Sequence, residues 1–207
     1  MKLFFVRHGE STANILQEFS NTGWKHGLSE KGIQQAHALA AKFQGMAVSR
    51  IYTSPLQRAV QTAALLSETT GAAYAITDSL REFDTGITEG KSDPASWGLW
   101  KKVMYDWNQQ GLWDERIEGG ESFNDIRARF LPFLSRVLAE PPSRQGDLIL
   151  VGHGGIFYCM LPLVLKNVIR SEIDQWGFPN TGTVLAEARS EGLFCLEWCG
   201  NRIEKLS

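Results

Sequence analysis

The feature that most constrains this chain is a short apolar run, Leu3-Phe4-Phe5-Val6, that stops abruptly at Arg7-His8-Gly9-Glu10. Four residues make a poor helix, two of them are aromatic, and a glycine follows closely, so the run reads as a buried strand. In open α/β sheets, ligands bind just beyond the carboxyl ends of strands, which puts His8 where chemistry would sit. The design recurs far downstream, where Asp147-Leu148-Ile149-Leu150-Val151 empties into Gly152-His153-Gly154-Gly155. Two of the four histidines therefore follow strand-like runs directly, each beside glycine. A histidine satisfied at a strand end explains either one alone; the pair points to a shared pocket.

The stretches between these runs alternate helix and strand patterns. Residues 11–19 can open a helix with Asn14 near its start, aiming free N–H groups at an anion in the same mouth. A loop with Gly23, His26 and Gly27 follows. Ser29 then suits an N-cap, Ile33, Ala36, Leu39, Ala40 and Phe43 recur at helical spacing with His37 among them, and Gly45 makes a stop. Residues 50–53 predict a second strand, and Ser54-Pro55 a helix start, because proline is pre-organised for the first helical position. Arg58 then falls in the first turn, where a cation opposes the helix dipole at a cost of roughly 0.3–1 kcal/mol. Such a position invites a functional explanation. Residues 74–77 predict a third strand, leading to Glu82.

From Gly86 to Gly120 the texture changes, with Pro94 and four of the seven tryptophans, Trp97, Trp100, Trp107 and Trp113. Two readings fit, an inserted cap over the pocket and an aromatic pair of helices closing the core. A helix over residues 121–138, starting near Ser122 and ended by Pro141-Pro142, precedes the second His-bearing strand. A helix over 156–164 and a hairpin turning at Ser190-Glu191-Gly192 complete the chain. With 207 residues, the expected organisation is one domain over 1–207 carrying the cap at about 86–120. The expected fold is α/β, three-layered, with a mostly parallel central sheet flanked by helices.

Net charge is −2, from 21 basic and 23 acidic residues, so nothing draws the whole chain to nucleic acid or an anionic membrane. Any anion site must be local. The N-terminal apolar stretch is too short for a signal peptide, and no run reaches transmembrane length. Cys159, Cys195 and Cys199 are an odd number without metal-ligand spacing, and read as reduced thiols of a cytoplasmic protein.

Four blocks carry a resemblance: Arg7-His8-Gly9-Glu10 with Asn14; Ser54-Pro55-Leu56 with Arg58 and Gln61-Thr62-Ala63; Glu82 with Gly86 and Glu89-Gly90; and Gly152-His153-Gly154. In this order, over nearly the whole chain, they resemble the histidine phosphatase superfamily, which holds cofactor-dependent phosphoglycerate mutases and many small phosphatases. The resemblance implies a nucleophile at His8, a phosphate clamp at Arg7, Arg58 and His153, a proton donor at Glu82, and further phosphate contacts at Asn14 and Gly154. It implies loop-orienting roles for Glu10 and Glu89, and neither cofactor nor metal. Asn180-Thr181 is a further stretch that can reach the pocket. The chemistry suits these residue types. Neighbouring guanidinium groups keep an imidazole neutral and nucleophilic, and planar forks match phosphate oxygens. A covalent phosphohistidine divides a reaction that can need acceleration on the order of 10²¹-fold into two easier steps.

Thr22-Gly23-Trp24 and Leu28-Ser29-Glu30-Lys31-Gly32 look mutase-like, and in mutases Thr22-Gly23 would help hold a substrate carboxylate. Against that stand the short chain, Ala13 in place of a tryptophan, and Lys25-His26-Gly27 in place of an acidic residue. The expected function is a metal-independent phosphatase of small-molecule phosphomonoesters, the alternatives being a phosphoglycerate mutase and a non-catalytic phosphate-binding protein. Neither nucleic acid nor membrane is an expected partner; the oligomeric state stays open, a homodimer being one arrangement. The cap carries both charge signs, and its tryptophans suit a partly apolar or ring-shaped leaving group, such as a nucleoside or sugar.

Overall fold

The structure is a computed structural model that describes residues 1–139 and 146–203. Strand β1 (Lys2–Arg7) explains the layering. Its side chains alternate between two separate hydrophobic clusters, Leu3 and Phe5 in one and Phe4 and Val6 in the other. A strand apolar on both faces needs cover on both. Helix α1 (Thr12–Leu16) follows, then α2 (Glu30–Ala41), β2 (Val48–Thr53), α3 (Gln57–Thr70) and β3 (Tyr74–Ile76). Leu39, Ala40 and Phe43 from the α2 region and Ala59, Ala63 and Leu66 of α3 cover the Phe4–Val6 face. After α4 (Pro94–Tyr105) come α5 (Phe123–Ala139), β4 (Asp147–Gly152), α6 (Gly154–Val164) and α7 (Arg170–Trp176). Side chains of α5 and α6, including Ile126, Phe130, Ile156 and Phe157, cover the Leu3–Phe5 face. Each large apolar side chain so buried contributes about 1.5–3 kcal/mol.

Strands β5 (Thr183–Arg189), β6 (Gly192–Trp198) and β7 (Asn201–Arg202) complete a seven-stranded sheet of order β3-β2-β4-β1-β5-β6-β7. The half from β3 to β1 is parallel, as expected, whereas every pairing from β1 to β7 is antiparallel, so the whole sheet is mixed. The antiparallel half is the expected hairpin docked on β1 and extended by the short β7, which the sequence did not announce. Among the described residues no helix is long and apolar enough to cross a membrane.

Several boundaries move for local reasons. Helix α1 ends at Leu16, short of the expected Phe19, because Gln17 turns into the left-handed region at φ 50°. Helix α3 starts at Gln57 rather than Pro55, since Leu56 stays extended and donates its amide to Ser54 Oγ at 3.3 Å. Helix α6 begins earlier than expected, directly after His153. Ile33, expected in the core, is exposed. The Pro141-Pro142 stop lies outside the described residues. The loop after β1 packs backbone to backbone on the start of α2: a Cβ at Gly32 would lie 1.8 Å from Glu10 O, and one at Gly9 2.5 Å from Gly32 O. In the 86–120 segment, α4 is capped by Asp93 with Pro94 behind it, and runs on into one wide π turn, Asp106–Gln110.

Candidate active site

The parallel register brings the ends of β1, β2 and β4 to one edge of the sheet. Arg7 pairs with Gly152 and Thr53 with Val151, so His8, Ser54 and His153 emerge side by side. The His8 and His153 rings are 5.0 Å apart, and both side chains are almost fully buried. The His8 amide donates to Gly152 O, while Thr181 N and Asn180 Nδ2 both donate to His8 O.

The hydrogen bonds of His8 select one tautomer. Nδ1 lies 2.6 Å from the carbonyl of Gly9, which can only accept, so Nδ1 carries the proton. Nε2 lies 3.0 Å from Arg58 Nε, which can only donate, so Nε2 presents its lone pair. Burial, and then the charges of Arg58 and Arg7, hold His8 well below the usual imidazole value, against the opposing pull of the Gly9 carbonyl. His153 is depressed the same way, by burial first and then by Arg58, and its Nε2 lies 2.7 Å from Ser54 Oγ.

Arg58 sits in the first turn of α3 and is buried, with Nη1 donating to Ser20 O at 2.7 Å. Burial pulls its guanidinium down to about 10, opposed by Glu82. Arg7 donates Nη1 to Phe178 O, while its buried Nε has no protein partner; neither has the buried His153 Nδ1. Buried polar atoms are normally paired, so Arg7 Nε, on the cavity wall, can take an acceptor from whatever fills the cavity.

Glu82 is partly buried against the N-terminus of α6. Gly155 N donates to Oε2 at 2.8 Å, and Ile156 N and Phe83 N donate to Oε1 at 2.7 and 3.1 Å. These amides favour the carboxylate, but burial outweighs them and raises the Glu82 pKa above the ordinary value. Gly155 has to be glycine here, because a Cβ would lie 2.8 Å from Oε1 and 2.7 Å from the Phe83 ring.

Arg7, His8, Arg58 and Glu82 open into one cavity of about 650 Å³, which Asn14 and Gly154 also line. The sequence reasoning thus names the residues the fold brings together at its inner end. Thr22 and Gly23 are placed elsewhere. Thr22 N and Oγ1 both donate to Glu89 Oε1, at 3.1 and 3.0 Å, and Gly23 occupies an exposed turn at φ 67°. Glu89 and Glu10 do tie loops, the latter by accepting from Ser29 Oγ and Lys31 Nζ. His26, left open by the sequence, is buried against Glu18. Asn180 reaches the His8 carbonyl and Asn14 Oδ1 without lining the cavity. The tryptophans divide: Trp97 and Trp100 line the cavity, Trp107 is buried in the core, and Trp113 stacks on Phe123 near the surface. Glu18, Lys101, Tyr105, Asn108 and Tyr158 complete the outer wall unanticipated, since no local motif marks them.

Two curated relatives named "Probable phosphoglycerate mutase GpmB" are similar to the chain. The one from Yersinia pestis (strain Pestoides F) is 29% identical over 168 residues, 80% of this chain and 75% of the relative. The Erwinia tasmaniensis one is 27% identical over 157 residues, 74% and 70% of the two chains. Among solved structures, a mycobacterial glucosyl-3-phosphoglycerate phosphatase superposes with a TM-score of 0.76 at 25% identity, over 95% of this chain and 98% of its own. The alpha-ribazole phosphatase from Shigella flexneri shares the fold, with a TM-score of 0.76 at 20% identity over the full length of both. The sequence model of the histidine phosphatase superfamily (branch 1) matches residues 3–200, and the chain belongs to that superfamily.

Proposed function

We propose that the protein is a metal-independent phosphatase that hydrolyses small-molecule phosphomonoesters through a phosphohistidine at His8 Nε2. One observation carries the reading: His8 is held neutral, with Nδ1–H on the Gly9 carbonyl and the Nε2 lone pair on Arg58 Nε, at the wall of an arginine-lined cavity. An incoming phosphate takes over the guanidinium donors of Arg58 and supplies an acceptor to Arg7 Nε. Nε2 then forms a bond to phosphorus as the ester P–O bond breaks, and protonated Glu82 gives its proton to the leaving oxygen. The phosphorylated ring becomes a cation whose Nδ1–H stays on Gly9 O. In the second half, water attacks phosphorus, its proton passes to the Glu82 carboxylate, and the N–P electron pair returns to Nε2. The sum is ester plus water giving alcohol plus inorganic phosphate. The two arginines supply fixed charge, and they and the neutral His153 supply hydrogen bonds to the equatorial oxygens.

Hydrolysis is favoured over a mutase by the loop that would hold a substrate carboxylate. Both the amide and the hydroxyl of Thr22 are committed to Glu89, and Trp24 is exposed. The test is quenched-flow trapping with an aryl phosphate in chelator, beside an assay for 3- to 2-phosphoglycerate conversion with bisphosphoglycerate supplied. We expect an acid-labile phosphoryl group on His8, phosphate release without interconversion, and neither signal in His8→Ala. Efficient interconversion with little release would overturn the reading in favour of a mutase, and phosphate binding without turnover in favour of a binding protein.

A further inference from the structure

Resting on that function, we infer that the outer half of the cavity recognises the alcohol portion of the substrate, an uncharged ring-bearing alcohol, and that Arg170 is the positioning residue that sets its wall. Three observations converge. First, a phosphate held by Arg7, Arg58 and His8 occupies only the inner end of a cavity of about 650 Å³. Second, the remaining wall is aromatic, with Phe19, Trp97, Trp100, Tyr105 and Tyr158. Phe19 and Trp97 rings lie 4.4 Å apart, and Trp97 and Trp100 5.7 Å apart, so the faces are braced against one another rather than loose. Aromatic faces bind bases and the apolar faces of sugar rings. Third, the outer half holds no built anion site: its acid, Glu18, is already paired with Lys25 and His26, and its base, Lys101, is an exposed lysine, so a second anionic group on the substrate finds at most one solvent-screened charge.

Arg170, on α7, stands outside the cavity and joins the two elements that wall it, α6 and the π turn. Its Nη1 donates to Tyr158 O of α6 at 2.7 Å, its Nη2 donates to Asn108 Oδ1 in the π turn, and its guanidinium lies 4.5 Å from the Tyr158 ring centroid. Tyr158 Oη in turn donates to Asp174 Oδ1 at 2.5 Å, and Asn108 Nδ2 donates to Met104 O at 2.7 Å. Both Tyr158 and Asn108 line the cavity. A guanidinium at the first residue of a helix opposes the helix dipole, so local helix stability does not account for it. The planar fork does, by latching the π turn to α6.

The experiment compares kcat/KM for adenosine 5′-monophosphate, glucose 6-phosphate, glycerol 3-phosphate and 3-phosphoglycerate. We expect at least one ring-bearing ester to exceed both acyclic ones by roughly tenfold or more, the nucleotide and sugar arms separating the two sources of ring. Equal values, or 3-phosphoglycerate as the best substrate, overturn the inference. In Arg170→Ala the ring-to-glycerol ratio of kcat/KM should fall by about tenfold. Trp100→Leu, which leaves Arg170 in place, should lower the same ratio, and an unchanged ratio in both variants overturns the assignment of this wall. If no ester is turned over, the phosphatase reading fails separately. Calorimetric binding of the same esters to His8→Ala then decides the recognition alone: tighter binding of a ring-bearing ester upholds it, and equal binding overturns it.

Discussion

Two forces oppose each other at Glu82: three backbone amides hold its oxygens as a carboxylate would wish, while burial favours the protonated form and prevails. A proton donor is useful only to a poor leaving group. Glu82→Gln, which keeps the shape and loses the proton, should therefore slow alkyl phosphates by on the order of 10²–10⁴ and aryl phosphates far less. Steady-state rates on both substrate types check this, and equal losses would show that the proton comes from elsewhere. The residues clustered at the strand ends were legible because each sits at a strand end or a helix start that the chain itself marks with glycine or proline: His8, His153 and Arg58. The outer wall was not. Tyr158 and Asn108 reach the cavity from the middle of helical segments, where the pattern of apolar spacing says only that a helix is present. Thr22 looked like a substrate contact by its neighbours in sequence, yet a partner 67 residues away, Glu89, claims its hydroxyl.

At the scale of elements, the β1–α1 loop and α2 meet with no side chain between them. Gly32→Ala would drive a methyl group to 1.8 Å from Glu10 O, so backbone has to move. Overpacking of this kind costs about 1–3 kcal/mol or more, and urea unfolding should read at least that loss. A midpoint equal to that of the parent would mean that the loop relaxes freely. The elements themselves were legible from their apolar spacing, and their ends less so. Pro55 is a sound helix signal, yet the helix waits until Gln57, because the Ser54 hydroxyl first accepts the Leu56 amide. The antiparallel docking of β5 on β1 is a long-range choice, and its two strands read the same alone whichever neighbour they find.

Over the whole molecule, the two buried imidazoles make stability depend on pH. His8 and His153 titrate below the ordinary value when folded, so as pH falls through about 6.5 the unfolded chain takes up protons that the folded one refuses. Their contribution is present above that value and is lost toward lower pH, by up to roughly 1.4 kcal/mol per pH unit for each group. Melting temperatures should drop between pH 7 and pH 5, and the drop should flatten in the His8→Asn, His153→Asn double variant. An equally steep fall in that variant would remove the imidazoles as its cause. The strand order has a consequence of another kind. In the sheet β1 and β2 are not neighbours; β4 lies between them. During synthesis the first strand therefore has no partner on either side until residues 147–152 and then 183–189 have been made. His8 therefore precedes in the chain both strands that fix its position, and it reaches its place beside His153 only when the later third of the sequence has folded back onto the strand that carries it.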